Sequence, residues 1–327
     1  MGTMNRADFH ASRRGFLWSL ASGLAAAFTS AAFPRLCAAA EHEPVTRLAW
    51  SRAVAPQLTL ETRYRADAQI LLLGVPVLRR EGVGGGSVSW REFTGDGGSR
   101  LLEFNGFSIP ERAAGLSRLG FIREVARTSP GSTESLYFGL MTASPEESAE
   151  EARKALHSAT KEQAYTAIEG RILPGKMETA IAHFSVPSAI SPERRAELVE
   201  NARRALDSAE TISAATPTGG QTFLQVLAEM LARPDGADGR YIYSGRPYRL
   251  RLTRAADAKA TAHFRELRMI PGASEVIRVS GRLRREAGGK ETAFTVWIPG
   301  GAQRPMPLRI EYQAKPYLRL IFEAVNP

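Results

Sequence analysis

The chain has 327 residues and a formal net charge of +9, from 43 lysines and arginines against 34 acidic residues. It contains a single cysteine, Cys37, so it forms no internal disulfide, and zinc sites built from several cysteines and iron–sulfur clusters are excluded. Its basic residues are scattered rather than run together, and the charge therefore favours anionic partners in general without indicating nucleic acid.

The N-terminus resembles a twin-arginine export signal. Arg13 and Arg14 stand directly before the moderately apolar stretch Gly15–Ala32, in which Phe16 and Leu17 come near the start. Such a signal is an address that a receptor reads rather than a membrane anchor. The predicted partner is therefore the twin-arginine export machinery.

Small residues end the apolar stretch, and Ala38–Ala40 before Glu41 fits an A-x-A cleavage site. We predict cleavage between Ala40 and Glu41, a signal peptide over residues 1–40, a flexible mature N-terminus over 41–56 and a periplasmic mature protein without cysteine. The alternative is an uncleaved N-terminal anchor that leaves the protein facing the periplasm, for which the stretch is short and rich in Ala and Ser.

The first part of the mature chain is predicted to form strands. Leu58–Tyr64 alternates between apolar and polar residues, which predicts a half-buried strand. Ala68–Leu78 is a longer apolar run, and Pro76 within it indicates an edge, a bend or a bulge. Gly82–Gly86 is predicted as a turn. Further strands are predicted at 88–93, 100–107 and 135–141.

The middle of the chain carries the helix signals. Ser144–Glu147 has the pattern of a capping box with proline at the first helical position. It predicts a helix over about 145–158. Two more helices are predicted at about 192–209 and 222–232, on either side of a loop. Between the first two helices, 167–173 and 177–186 are predicted to pair as a hairpin around Pro174–Lys176.

The last third is predicted to be strands separated by short turns, which makes neighbours antiparallel. The predicted strands are 240–243, 248–253, 261–269, 275–284, 292–298, 308–314 and 317–324. The sequence thus predicts one domain over 57–324 that is mainly β with a minority of α+β character. Its expected form is an antiparallel curved sheet, half-barrel or barrel-like, with about three helices inserted in the middle.

Three parts of the chain carry related motifs: the block Thr295–Ile298 followed by Arg304–Glu311, the segment Leu72–Val77, and Phe223–Leu227 before Gly239–Tyr241. They resemble, in that order, the end, an early strand turn, and the central helix with the next strand of one family of exported bacterial proteins. That family is known as a domain of unknown function (number 3108). The resemblance implies an exported, mostly β protein and brings no catalytic residues.

The C-terminal strands suggest one candidate ligand site. Their aromatic residues could line a cleft for a lipid or another apolar ligand, or they could form the core of the sheet. Arg249 and Arg251 alternate with Tyr248 and apolar residues, and they give a basic strand face that either meets anionic head groups or is the solvated side of a sheet. The predicted ligand-binding residues are Tyr248, Arg249, Arg251, Trp297 and Tyr312.

No motif for catalysis, a metal or a cofactor stands out. The histidines are not spaced as metal ligands, and Gly170–Lys176 lacks the Ser or Thr that must follow the lysine in a phosphate-binding loop. We therefore predict a non-enzymatic envelope protein that binds an amphipathic or anionic ligand, without a cofactor. The alternative is a periplasmic hydrolase whose site combines His183 or His263 with distant carboxylates.

Overall fold

The computed structural model describes residues 56–72, 74–93, 98–113, 118–129, 132–143, 162–187, 195–216, 220–234, 237–289 and 291–325. The predicted signal peptide with its cleavage site and the predicted helix at 145–158 lie outside the described residues. So does the predicted flexible segment 41–56, except for its last residue.

The described strands form one sheet in which every pair of neighbours is antiparallel. The strands are β1 Leu58–Leu72, β2 Val75–Phe93, β3 Ser99–Ser108, β4 Leu119–Ser129, β5 Ser132–Thr142, β6 Glu162–Leu173, β7 Lys176–Pro187, β8 Thr211–Ala215, β9 Asp238–Tyr243, β10 Arg246–Ala256, β11 Val276–Arg285, β12 Thr292–Pro299, β13 Arg309–Lys315 and β14 Leu318–Ala324. Three described helices accompany them: α1 Arg195–Asp207, α2 Phe223–Ala232 and α3 Ala258–Glu266.

The order of the 14 strands is β8-β7-β6-β5-β4-β3-β2-β1-β14-β13-β12-β11-β10-β9. Two meanders therefore meet where the first strand pairs with the last, with Tyr64 opposite Ala324. The outermost strands β8 and β9 do not pair with each other, so the sheet stays open. The predicted antiparallel β class is confirmed.

The sheet curls so that its two arms face each other across the interior. The rings of Tyr137 on β5 and Tyr243 on β9 lie 5.4 Å apart. The segment before α2 also bridges to the far arm, because the Ile242 backbone N–H donates to the Gln221 carbonyl at 2.8 Å. The interior is consequently filled by side chains from both arms and from α2, which lies inside the curve.

The other two helices cover the outer face of the sheet. Leu198, Ala202 and Leu206 of α1 pack on β4–β7, and Phe264 of α3 packs with Trp297. The sequence predicted α1 at 192–209 and α2 at 222–232, where the structure has 195–207 and 223–232. No helix in the described ranges combines the length and apolar character of a membrane span.

The predicted strand at 261–269 is wrong, because most of this segment forms α3. Asp257 accepts a hydrogen bond from the Ala260 N–H at 2.9 Å, and a carboxylate at this position satisfies one of the free donors of the first helical turn. The N-cap and the tertiary contact of Phe264 determine the helix. The strands β4 and β8 were not predicted.

The predicted turn at Gly82–Gly86 is also wrong, because these residues lie within β2. The glycines permit close approach rather than a reversal of the chain. A Cβ atom on Gly84 would lie 2.1 Å from the Phe107 carbonyl oxygen, and one on Gly86 would lie 2.5 Å from the Asn105 carbonyl oxygen. Strand β3 can pass this close to β2 only where side chains are missing.

The end of the β1–β2 hairpin confirms the irregularity predicted from Pro76. Pairing shifts register between Ile70 and Leu71, and Pro76 stands opposite Leu71. Beyond this shift the hairpin is exposed, and Leu72 and Val75 expose 65% and 61% of their surface.

Candidate ligand-binding site

An apolar cavity lies inside the curved sheet, between α2 and the inner face. Its volume is about 90 Å³. Apart from Ser89 and Glu103, every residue that borders it is apolar or aromatic. The lining residues are Val88, Trp90, Leu102, Phe104, Ile122, Phe223, Leu224, Leu227, Ala228, Leu231, Phe294, Val296, Pro305, Met306, Pro307, Ile310 and Tyr312.

The cavity exists because strand alternation and the helical period present apolar residues to the same space. Phe294, Val296 and Ile298 on β12 point inward together, while Trp297, between the last two, faces α3. Phe223, Leu227 and Leu231 repeat every four residues and so share one side of α2. The wall of the site is therefore composed of the side chains that also form the core.

A strap over residues 300–308 covers one side of the cavity with Pro305, Met306 and Pro307. Both Nε and Nη2 of Arg304 donate to the Glu92 carboxylate at 2.8 Å, in a bidentate pair. The Tyr64 hydroxyl donates to the Pro307 carbonyl at 2.7 Å. The hydrogen bonds from Arg304 are the main cause that lowers the pKa of Glu92, so the pair stays ionic. The strap is therefore held at Arg304 and at Pro307.

The helical wall is held by a buried carboxylate. Glu124 of β4 is fully buried, and its Oε2 accepts from the Thr222 hydroxyl and from the Gln225 N–H at 3.1 Å. These donors belong to the start of α2, where backbone N–H groups lack partners within the helix. Glu124 thus caps α2 from the sheet and sets its position beside Ile122, two residues earlier on the same strand face.

A second contact ties the exposed side of α2 to the sheet. Arg100 of β3 bonds to Glu229 at 3.0 Å and lies over the ring of Trp90 at 5.2 Å from its centroid. Gln221 also donates to Glu229, at 3.0 Å. Since Trp90 lines the cavity, this cluster connects the cavity wall to the surface of the protein.

Burial changes the proton affinity of two acids. Burial raises the pKa of Glu124 to about 7, although hydrogen bonds from the start of α2 favour its charged form. Burial beneath α1 likewise raises the pKa of Glu169 to about 7. Both acids are therefore neutral in the folded protein at pH 5 and largely ionised at pH 8.

We expect the protein to become less stable as the pH rises from about 5 to 7.5. In this window the folded state retains protons that the unfolded chain has released, so the free energy of unfolding falls with pH and levels off above the folded pKa. The shift of Glu124 from 4.5 to about 7 corresponds to about 3 kcal/mol. Urea unfolding across this range measures the loss, and E124Q should remove the part that Glu124 contributes while the part from Glu169 remains. Equal stability at pH 5 and 7.5 would contradict this assignment.

The structure places the predicted ligand residues at separate positions. Tyr312 lines the cavity, and burial raises its pKa. Tyr248 also faces the interior, but it stacks on Tyr241 with ring centroids 5.2 Å apart. Trp297 lies on the outer face, where its Nε1 donates to Asp257 at 2.9 Å.

Arg249 and Arg251 lie on the outer face of β10. They border a second, basic groove, so the five residues do not form one site.

The two histidines of the hydrolase hypothesis lie outside the apolar cavity and outside the basic groove. His183 is exposed and its Nδ1 lies 3.0 Å from the Thr166 hydroxyl. His263 contacts Glu323 at 3.3 Å, but this pair is on the outer face and Glu323 also pairs with Arg309. Within the described ranges no three side chains of His, Cys, Asp or Glu converge in a way that could hold a metal ion.

Sequence reasoning missed two parts of the site. Glu124 lies in β4, a strand that was not predicted, and a single acid in an alternating segment carries no signal of burial. The strap residues Pro305–Pro307 belong to the block that resembles family 3108, but no feature of their sequence indicated that they would cover a cavity. The helix predicted at 222–232, in contrast, is present as α2 and supplies Phe223, Leu227 and Leu231 to the cavity wall.

Comparison with known proteins gives no assignment by sequence. No protein-family profile and no curated protein matches the chain. Among solved structures, a β-barrel-like protein of the domain of unknown function DUF1849 from Brucella abortus is similar, with a TM-score of 0.43 and 8% identity over 83% of this chain and 98% of that one. The resemblance to family 3108 is not confirmed.

Proposed function

We propose that this chain is an exported protein of the cell envelope that binds an apolar or amphipathic ligand in the cavity under α2. The observation that carries the proposal is the cavity of about 90 Å³ bordered almost wholly by apolar side chains. Water gains few hydrogen bonds in such a space, because an apolar cavity offers it no partners. An alkyl or aromatic group loses no hydrogen bonds there and removes apolar surface from water.

The cavity volume limits the part of a ligand that enters. An apolar cavity of about 150 Å³ stays dry and takes up benzene. A volume of about 90 Å³ therefore suits a smaller group, such as the end of an alkyl chain, with the remainder of the ligand outside. This supports an amphipathic ligand whose polar part stays in water.

The proposed location rests on the N-terminal sequence. Arg13 and Arg14 before an apolar stretch, and Ala38–Ala40 before Glu41, are typical of an exported and cleaved protein. A periplasmic protein of this kind meets lipids and other amphipathic molecules of the envelope. Export by the twin-arginine machinery and a periplasmic site of action are parts of the same proposal.

A matched pair of tryptophan variants tests ligand binding. Ala228 of α2 lines the cavity, and Ala232, four residues later, is exposed. A228W should fill the cavity and weaken binding of a fluorescent alkyl-chain probe at least tenfold, whereas A232W should bind like the wild-type protein. Fluorescence titration gives both affinities, and urea unfolding verifies that each variant folds. Equal affinities of folded A228W and A232W would overturn the proposal.

A further inference from the structure

The outer face of β9–β11 carries arginines directly opposite one another. Arg240, Arg249 and Arg284 form one row across the three strands, because Arg249 pairs with both of the others in register. Arg251 stands opposite Arg282 in the next row. We call these five residues the arginine grid. They border a groove of about 480 Å³ on the side of the sheet away from the apolar cavity.

Such an arrangement costs stability in the unliganded protein. Like charges directly opposite on neighbouring antiparallel strands repel each other, and neighbouring strands are only about 4.8 Å apart. An ordinary solvated sheet face avoids this by alternating the sign of charge across strands. The grid repeats the same sign over Arg240, Arg249 and Arg284, so folding alone does not account for it.

Nearby acids offset only part of the charge. Arg240 pairs with Glu286 at 3.0 Å, Arg251 with Asp238 at 3.1 Å, and Arg282 with Glu291 at 3.0 Å. These three acids face five grid arginines and also Arg285, which borders the groove as well. The groove therefore presents an excess of guanidinium donors.

We propose that the arginine grid binds a ligand carrying two or more phosphate groups. Guanidinium groups match phosphate oxygens in a bidentate geometry. Grid positions lie about 4.8 Å apart across strands and about 6.8 Å apart at i and i+2 along a strand. Two linked phosphates, or phosphates of adjacent lipid head groups, can thus contact several arginines together. The site is independent of the apolar cavity, since it lies on the opposite face.

Calorimetry and vesicle binding test this proposal with two double variants of equal charge. R249Q/R284Q removes two residues of one row, and R63Q/R278Q removes two exposed arginines that do not border the groove. The probes are pyrophosphate, and vesicles of phosphatidylcholine with or without phosphatidic acid. We expect R249Q/R284Q to weaken binding of the probes at least tenfold and R63Q/R278Q to leave their affinity within about twofold of the wild-type value. The wild-type protein should lose binding of both probes at high salt, because salt screens the charges.

Each outcome decides the proposal. Binding of free pyrophosphate supports a soluble phosphate ligand, and binding only of phosphatidic acid vesicles supports a lipid head group as the source. Equal loss in both double variants would indicate a general charge effect and overturn the proposal, as would no binding of either probe. R249Q/R284Q should also raise the Tm at low salt by about 1–4 °C, because repulsion is relieved. A lower Tm would contradict the argument that the grid costs stability.

Discussion

Replacing Glu124 with alanine is expected to lower the free energy of unfolding by about 2–4 kcal/mol at pH 5. The change removes the acceptor of the Thr222 hydroxyl and of the Gln225 N–H, and Thr222 is fully buried. Each buried donor left without a partner costs about 1–3 kcal/mol. Because the same contacts hold the start of α2, E124A should also weaken ligand binding in the cavity. Urea unfolding and probe titration measure the two effects.

The glutamine variant separates the cap from the charge. E124Q retains an oxygen acceptor for α2 and carries no charge, so its stability at pH 5 should stay within about 1 kcal/mol of the wild-type value. At pH 7.5 it should equal or exceed the wild-type stability, since burial raises the pKa of Glu124 to about 7 and the wild-type protein must then bury a charge. If E124A were as stable as E124Q at pH 5, the capping role would be wrong.

Replacing Gly84 with valine is the second change with a large expected effect, about 3 kcal/mol or more. A Cβ atom at this position would lie 2.1 Å from the Phe107 carbonyl oxygen, which is a backbone atom and cannot rotate away. Strand β3 would have to separate from β2, and overpacking of this kind costs about 1–3 kcal/mol even when side chains can adjust. Loss of soluble protein, or a much lower urea midpoint, is the expected observation.

A glycine in open space provides the control for Gly84. Gly272 lies between α3 and β11, and a Cβ atom there would meet no other atom within 4 Å. G272A should therefore be neutral or stabilise the protein slightly, through the unfolded state. A G84V protein as stable as G272A would show that β2 and β3 are not as close as described.

The periodic part of the fold was predictable from sequence. Strand β10 shows why: Tyr248, Leu250 and Leu252 are buried, while Arg249 and Arg251 between them are exposed. A period of two residues reports directly which side chains face the core. Helix α2 follows the corresponding rule, because its apolar residues Phe223, Leu227 and Leu231 recur at the helical period.

The failures share one physical cause, which is dependence on contacts distant in sequence. Gly82–Gly86 has the composition of a turn, yet close approach of β3 places it in a strand. The segment 261–269 was predicted as a strand, but Asp257 caps most of it as helix α3. The cavity could not be predicted either, because Ile122, Leu227 and Ile310 come from three remote parts of the chain.

Analysis of the molecules that co-purify with this protein tests the central claim most directly. The protein should be purified from the cells that produce it without added lipid, extracted with organic solvent and analysed by mass spectrometry beside A228W and A232W. We expect an amphipathic molecule with an alkyl chain to accompany the wild-type protein and A232W in near-stoichiometric amount, and to be absent from A228W. Wild-type and A228W extracts with the same content, or no such molecule in any of the three, would contradict ligand binding under α2.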